Sequence, residues 1–182
     1  MDYNSFYSKL FAPLESTLGP IDANTIVAII GFDAGGPLTF CTIGYDTTHP
    51  TNTYVSCEMA VRDEQRPSEA GRYELLVSCD DERWVRSVMT DIARMSCEVS
   101  LGDGHTVDIE PWVGEDARLQ GILLERLCES SIDGLPYCIL RVVGVTRAEL
   151  EFAREKGVAQ LVAKLKECGV YPNTLIDRKS VI

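Results

Sequence analysis

The sequence predicts an α+β fold, close to α/β in character, with a mixed and mainly antiparallel sheet flanked by helices in a single domain. Three observations indicate this. Short β-branched runs follow one another in the first half, amphipathic helical patterns interrupt the apolar runs, and a late strand-like run passes directly into a long helical pattern. At 182 residues, 45% of them hydrophobic, the chain is long enough for one buried core. We expect one domain over residues 1–182, with its core in residues 25–170.

The chain opens with a helical pattern and then changes to strands. Phe6, Leu10, Leu14 and Leu18 recur every four residues, although Pro13 weakens this helix or divides it in two. Four runs of strand-forming residues follow, separated by a glycine-rich turn at 33–37 and polar loops. The strands are predicted over residues 25–32, 38–45, 53–62 and 72–79.

The third and fourth predicted strands alternate apolar and polar residues. Val55 and Tyr73 belong to the apolar sets, whereas Ser56 and Glu74 fall on the opposite sets. This alternation predicts a half-buried sheet with one face toward the core.

The middle of the chain predicts a helix that covers the sheet. Asp80, Asp81 and Glu82 form an acidic helix start, and apolar residues from Trp84 to Ile92 follow at helical spacing. A turn at 102–104, a short strand at 105–109 and a loop at 111–118 are expected next. The run 119–128 fits a buried strand or a helical turn equally well.

The late strand and helix carry the clearest local signals. Thr146 and Glu149 have the spacing of a capping box, which starts an amphipathic helix that continues through Gly157 to about Cys168. Gly169 has the place of a C-terminal cap. A polar tail over residues 173–182 is expected to follow.

Charge and cysteine usage restrict the partners and the compartment. The chain has 28 acidic and 17 basic residues, a formal charge of −11, which repels nucleic acid and favours basic partners, although it also serves solubility. Seven cysteines without a C-x-x-C pair indicate buried thiols in a reducing cytosol, with neither a disulfide framework nor structural zinc. No signal peptide or membrane-spanning run is present in the sequence, so we expect a cytoplasmic protein without a membrane partner.

Candidate catalytic groups are few. His49 and His105 are the two histidines, and either is a potential base for a cysteine nucleophile. Acidic groups at 63–64, 80–82 and 115–116 contain the oxygens that acid–base catalysis or a magnesium site needs, but their places in loops or at a helix start already explain them. We therefore predict no catalytic residue, no cofactor and no metal site.

Five features give the sequence a family likeness. The strand at 72–77, Trp84, the run at 121–124, above all residues 143–157, and the tail at 177–181 together resemble the suppressor-of-fused family, in its compact bacterial single-domain members. The resemblance implies a mixed sheet flanked by helices and a role in binding another protein without catalysis. Animal members grip a peptide between two domains, and this chain is too short for the second one. Bacterial members are thought to be immunity proteins of polymorphic toxin systems.

The resulting hypothesis is a bacterial immunity protein that neutralises a cognate toxin domain by binding it. The predicted interface consists of exposed carboxylates. These are Asp80, Asp81, Glu82, Glu115 and Asp116. Two alternatives stay open: a small hydrolase that uses Cys and His or a carboxylate-held metal, and a peptide-binding adaptor or chaperone.

Overall fold

A computed structural model describes residues 3–19, 27–32, 36–43 and 51–182. His49 lies outside these residues, as do residues 33–35 of the predicted turn at 33–37. The described helices are α1 (Tyr3–Leu18), α2 (Glu82–Glu98), α3 (Glu110–Val113), α4 (Arg147–Lys156) and α5 (Val158–Glu167). The described strands are β1 (Val27–Phe32), β2 (Gly36–Ile43), β3 (Asn52–Ser56), β4 (Arg72–Cys79), β5 (Thr106–Asp108), β6 (Gly121–Ile132), β7 (Leu135–Val145) and β8 (Asn173–Thr174).

The strands form one open sheet in the order β1-β2-β3-β4-β7-β6-β5, with β8 also paired to β4. Most neighbours are antiparallel, and only the β4–β7 and β4–β8 pairs are parallel. The mixed, mainly antiparallel sheet and the α+β class are therefore confirmed. The run 119–128, which the sequence left ambiguous, supplies the start of β6.

Helices cover both faces of the sheet. On one face, α2 packs through Val85, Val88 and Ile92 against the apolar side of β4. On the other face, α1 covers β3, β4 and β7 through Leu10 and Leu14, while α4 and α5 cover the ends of β6 and β7. Helix α1 continues through Pro13 as one element.

The prediction of a half-buried sheet is wrong at β3 and β4, because α1 and the segment after β3 cover the second face. Strand β3 ends at Ser56, and residues 57–62 fold back over Glu74, whose side chain is fully buried. One carboxylate oxygen of Glu74 accepts from Ser56 Oγ at 2.5 Å and Met59 N at 3.1 Å, and the other from Ala60 N at 2.8 Å. Burial outweighs these hydrogen bonds and raises the pKa of Glu74 to about 7.

The predicted single C-terminal helix is two helices. Gly157 has a φ of +100°, a backbone conformation that glycine adopts without strain, and it separates α4 from α5. The apolar stripe continues across the break, which is why the pattern gave no sign of it. The capping box of Thr146 and Glu149 is confirmed, as is Gly169 with its φ of +68°. Within the predicted loop at 111–118, the first residues belong to α3.

The predicted polar tail is an integral part of the fold. Thr174 is fully buried in β8, and its hydroxyl accepts a hydrogen bond from Gly144 N at 2.9 Å. A Cβ at Gly144 would stand 2.7 Å from the Thr174 methyl and 2.8 Å from Leu119, so this close approach requires glycine. Arg178 then reaches the buried carboxylate of Glu149.

Candidate partner-binding surface

The candidate site lies where the parallel strands β4 and β7 end. Their pairing stops at Leu76 and Arg141, and β8 then pairs with the last two residues of β4 while contacting β7 at Gly144. In open α/β sheets, ligands bind in the crevice outside the carboxyl ends of the parallel strands, and the β4–β7 pair gives this mixed sheet one comparable end. Here the chain's own residues 173–178 occupy that place, and the start of α2 and the loop from α3 to β6 meet them.

These three segments enclose a small pocket, called here the crevice pocket. Its volume is about 240 Å³. Trp84 comes from the first turn of α2 and Leu119 precedes β6. The complete lining is Trp84, Asp116, Ala117, Arg118, Leu119, Ile176 and Asp177. The pocket therefore combines an indole, three aliphatic side chains, two carboxylates and one guanidinium.

The predicted acidic residues at the start of α2 have distinct structural roles. Asp81 is the N-cap, and its carboxylate accepts from Trp84 N at 2.7 Å, which fixes the indole's helix. The exposed Glu82 pairs with Arg86 one turn along α2. Asp80 is exposed, and its carboxylate accepts from Ile176 N at 3.2 Å, so it holds a residue of the pocket wall.

The second acidic pair lies in the loop from α3 to β6. Glu115 and Asp116 are exposed, and Asp116 lines the pocket whereas Glu115 does not. Gln120 donates its side-chain amide to the Glu115 carbonyl at 2.7 Å, which shapes this loop. The structure thus brings Asp80 and Asp116 to one crevice and leaves Glu82 on the outside of α2.

Sequence reasoning missed the contribution of residues 176 and 177. Arg118 donates to the Asp177 carbonyl at 2.7 Å, and the Arg118 Nε lies 3.9 Å from the Asp177 carboxylate. The sequence marked Asp177 as part of a family-like tail but did not show where it or Ile176 lies, because only the pairing of β8 with β4 carries them to the crevice. Trp84 was interpreted as a core residue, and it is half-buried against the core and the pocket at once.

A buried ion pair fixes the segment that closes the pocket. The Glu149 side chain is fully buried, and the Arg178 side chain is 6% exposed. Arg178 Nη1 and Nη2 each donate to a different oxygen of Glu149 at 2.6 Å, and Thr146 N and Val181 N donate as well, at 2.8 and 2.9 Å. Burial by itself raises the pKa of Glu149, but the guanidinium and the two backbone N–H groups together lower it below its usual value.

Among the residues that the structure describes, which do not include His49, the groups proposed for a hydrolase are not assembled. His105 is exposed at the turn before β5. Burial raises the pKa of the Cys79 thiol to about 12 and raises that of Cys138, whereas a nucleophilic cysteine needs a lowered pKa. In the ranges that the structure describes, no three His, Cys, Asp or Glu side chains are grouped to hold a metal ion. None of the helices in those ranges is long and apolar enough to span a membrane.

Comparisons with known proteins agree with this architecture. The sequence profile of the family "Suppressor of fused protein (SUFU)" matches residues 35–179. A comparison with curated protein sequences finds no match.

Solved structures share the fold at low sequence identity. A chain of "the Sufu-Fu complex crystal structure" has a TM-score of 0.68 and 15% identity, covering 98% of this chain and 91% of that one. The crystal structure of Drosophila Suppressor of Fused has a TM-score of 0.65 and 16% identity, and the match covers 96% of this chain and 50% of that one. The crystal structure of a putative SUFU homologue from Neisseria gonorrhoeae FA 1090 has a TM-score of 0.62 and 19% identity, and the match covers 100% of this chain and 98% of that one. With a profile match over most of its length, the chain belongs to the suppressor of fused family.

Proposed function

We propose that this chain is a non-enzymatic binding domain that neutralises a basic bacterial toxin domain in the cytoplasm by covering the toxin's active site. The observation that carries the proposal is the crevice at the ends of β4 and β7. Two acidic segments that are distant in the sequence meet there around the crevice pocket. A pocket flanked by carboxylates is suited to holding a cationic side chain of a protein partner.

The charge of the whole chain supports the same choice of partner. A formal charge of −11 attracts a basic protein and repels nucleic acid. Complementary charge speeds encounter, so an inhibitor that must intercept a toxin quickly benefits from it. Membership of the suppressor of fused family is consistent with a protein-binding role, and one solved relative is a complex of Sufu with Fu.

Co-expression tests this function directly. The tagged chain is first used to capture proteins from its own host at low salt, and a stoichiometric partner is identified by mass spectrometry. That partner, expressed alone, is expected to arrest bacterial growth, and co-expression of this chain is expected to restore it. A partner whose expression leaves growth normal, or growth arrest that co-expression does not relieve, contradicts the toxin proposal.

Matched charge variants locate the interface. Asp80→Asn and Asp116→Asn each remove one charge at the crevice, and Glu98→Gln removes one exposed charge at the far end of α2. For Asp80→Asn and Asp116→Asn, the association rate and the affinity for the captured partner are both expected to fall, and the fall is larger at low salt. For Glu98→Gln, both quantities are expected to change little. Equal effects at all three positions contradict a specific crevice interface.

A second surface favours the adaptor alternative. Near the tip of the β6–β7 hairpin, Leu135 is 65% exposed and Val61 is 37% exposed. Both line a depression of about 250 Å³ together with Ile132, Pro136 and Tyr137. An adaptor is expected to bind several unrelated extended peptides here, and Leu135→Ser is expected to abolish that binding while leaving toxin neutralisation intact.

A further inference from the structure

We infer that the crevice pocket binds the side chain of an arginine that the partner protein presents. This inference rests on the protein-binding function proposed above and names the chemistry of its central contact. The occupant follows from three properties of the pocket, which are its size, its charge and its exposed aromatic surface.

The size of the pocket suits one long side chain. Its volume of about 240 Å³ lies below the roughly 300 Å³ at which sites for whole small ligands begin. Leu119 is buried and Ile176 is half-buried, so they give the pocket apolar walls. An aliphatic stem packs against such walls while its charged end remains near water.

The charge of the pocket is negative after its internal pair is counted. Arg118 donates to the Asp177 carbonyl and lies within 4 Å of the Asp177 carboxylate, so these two charges offset each other. Asp116 in the lining and Asp80 beside it have no ion pair among the residues that the structure describes. A cation entering the pocket therefore meets the uncompensated carboxylate of Asp116, while the carboxylate of Asp80 is hydrogen-bonded to the backbone of Ile176 in the pocket wall.

The indole favours arginine over lysine. A planar guanidinium stacks on an aromatic face and is less strongly hydrated than an ammonium group, so it loses less on leaving water.

The two tryptophans provide a direct test by NMR. Trp84 lines the pocket and Trp112 lies in α3 outside it, so their indole signals form a reporter and an internal reference. The ¹⁵N-labelled chain is titrated with Nα-acetyl-arginine methylamide, and separately with the uncharged citrulline analogue of the same shape. The arginine compound is expected to shift the Trp84 signal saturably in the millimolar range and to leave the Trp112 signal unchanged. Equal shifts with the citrulline compound, or no shift of Trp84, overturn the inference.

Substitutions separate charge recognition from adventitious contact. Asp116→Asn is expected to lower the affinity for the arginine compound about fivefold. Glu98→Gln changes the net charge by the same amount and is expected to leave that affinity unchanged. Identical weakening in both variants overturns the inference, because it indicates attraction to net charge alone. The outcome is separable from that of the proposed function. A variant that no longer binds arginine but still rescues growth refutes the arginine contact in the crevice pocket. A chain that binds arginine but does not rescue growth refutes the toxin proposal.

Discussion

Removing the guanidinium of Arg178 is expected to destabilise the fold strongly. The variant Arg178→Met keeps an unbranched stem but leaves the carboxylate of Glu149 fully buried with only Thr146 N and Val181 N as donors. Two charged hydrogen bonds of 2.6 Å disappear, and the Gly144 carbonyl loses a donor at 3.0 Å. Breaking one side of a buried pair typically costs 3–5 kcal/mol, and the two remaining donors place this case near the lower end, at about 3 kcal/mol.

The assay is urea unfolding at pH 7, followed by circular dichroism and extrapolated to water. The control is Arg118→Met, because Arg118 is 55% exposed and its partner Asp177 is 90% exposed. That variant is expected to lose less than about 0.5 kcal/mol. If Arg178→Met loses no more than the control, the buried pair does not stabilise the fold as argued.

The charge on Glu149 gives the same prediction a dependence on pH. Because its pKa is lowered in the folded chain, its contribution is present above the unfolded value and is lost as the pH falls through the folded value. The stability difference between wild type and Arg178→Met is therefore expected to shrink on acidification. Adding Glu149→Gln to Arg178→Met is expected to recover part of the loss at pH 7, and a double variant that is still less stable refutes the unpaired charge as the cause.

Other expectations concern three further positions. Because the pKa of Glu74 is raised to about 7, folding takes up a proton between pH 4.5 and 7, so stability decreases by about 3 kcal/mol as the pH rises through that window. Glu74→Gln is expected to remove this slope in urea unfolding, and an unchanged slope contradicts the assignment. Gly144→Ala forces a methyl against Thr174 and is expected to lower the free energy of unfolding by about 1–3 kcal/mol, measured by thermal unfolding. Gly104→Ser is the comparison, because its side chain enters open space and only the cost of a side chain at a positive φ is measured. Cys168 is exposed, so a thiol reagent followed by mass spectrometry is expected to label it before the buried Cys79; the reverse order excludes the buried position.

Local signals in the sequence predicted local structure correctly. The capping box needs only Thr146 and Glu149, three residues apart, and both hydrogen bonds form as expected. The partner of Glu149 was not predictable in the same way, because Arg178 reaches it only after β8 has paired with β4. Glu74 was misplaced on a solvent-facing side because alternation in a strand does not show whether a helix covers the second face.

The candidate site shows the same division. Asp80 and Asp116 were predicted as interface residues from their acidic surroundings, but nothing in the sequence placed them at one crevice. The divergence of β4 and β7 and the insertion of β8 place them there. Gly157 illustrates the opposite case, since its apolar neighbours kept helical spacing and hid a break that only the backbone dihedral angle reveals.

The pairing of β4 also sets the order in which the chain becomes stable during translation. Its partner β3 precedes it, so one edge is satisfied as soon as β4 emerges from the ribosome. Its other edge is unpaired until Tyr137 and the rest of β7 have been made, and its last two residues are unpaired until Asn173 has been made. An apolar strand with an open edge is a template for aggregation, and parallel pairing over such a separation forms slowly. While residues 80–136 are being made, β4 is therefore paired along one edge alone, and its open edge is exposed to wrong pairing until β7 follows.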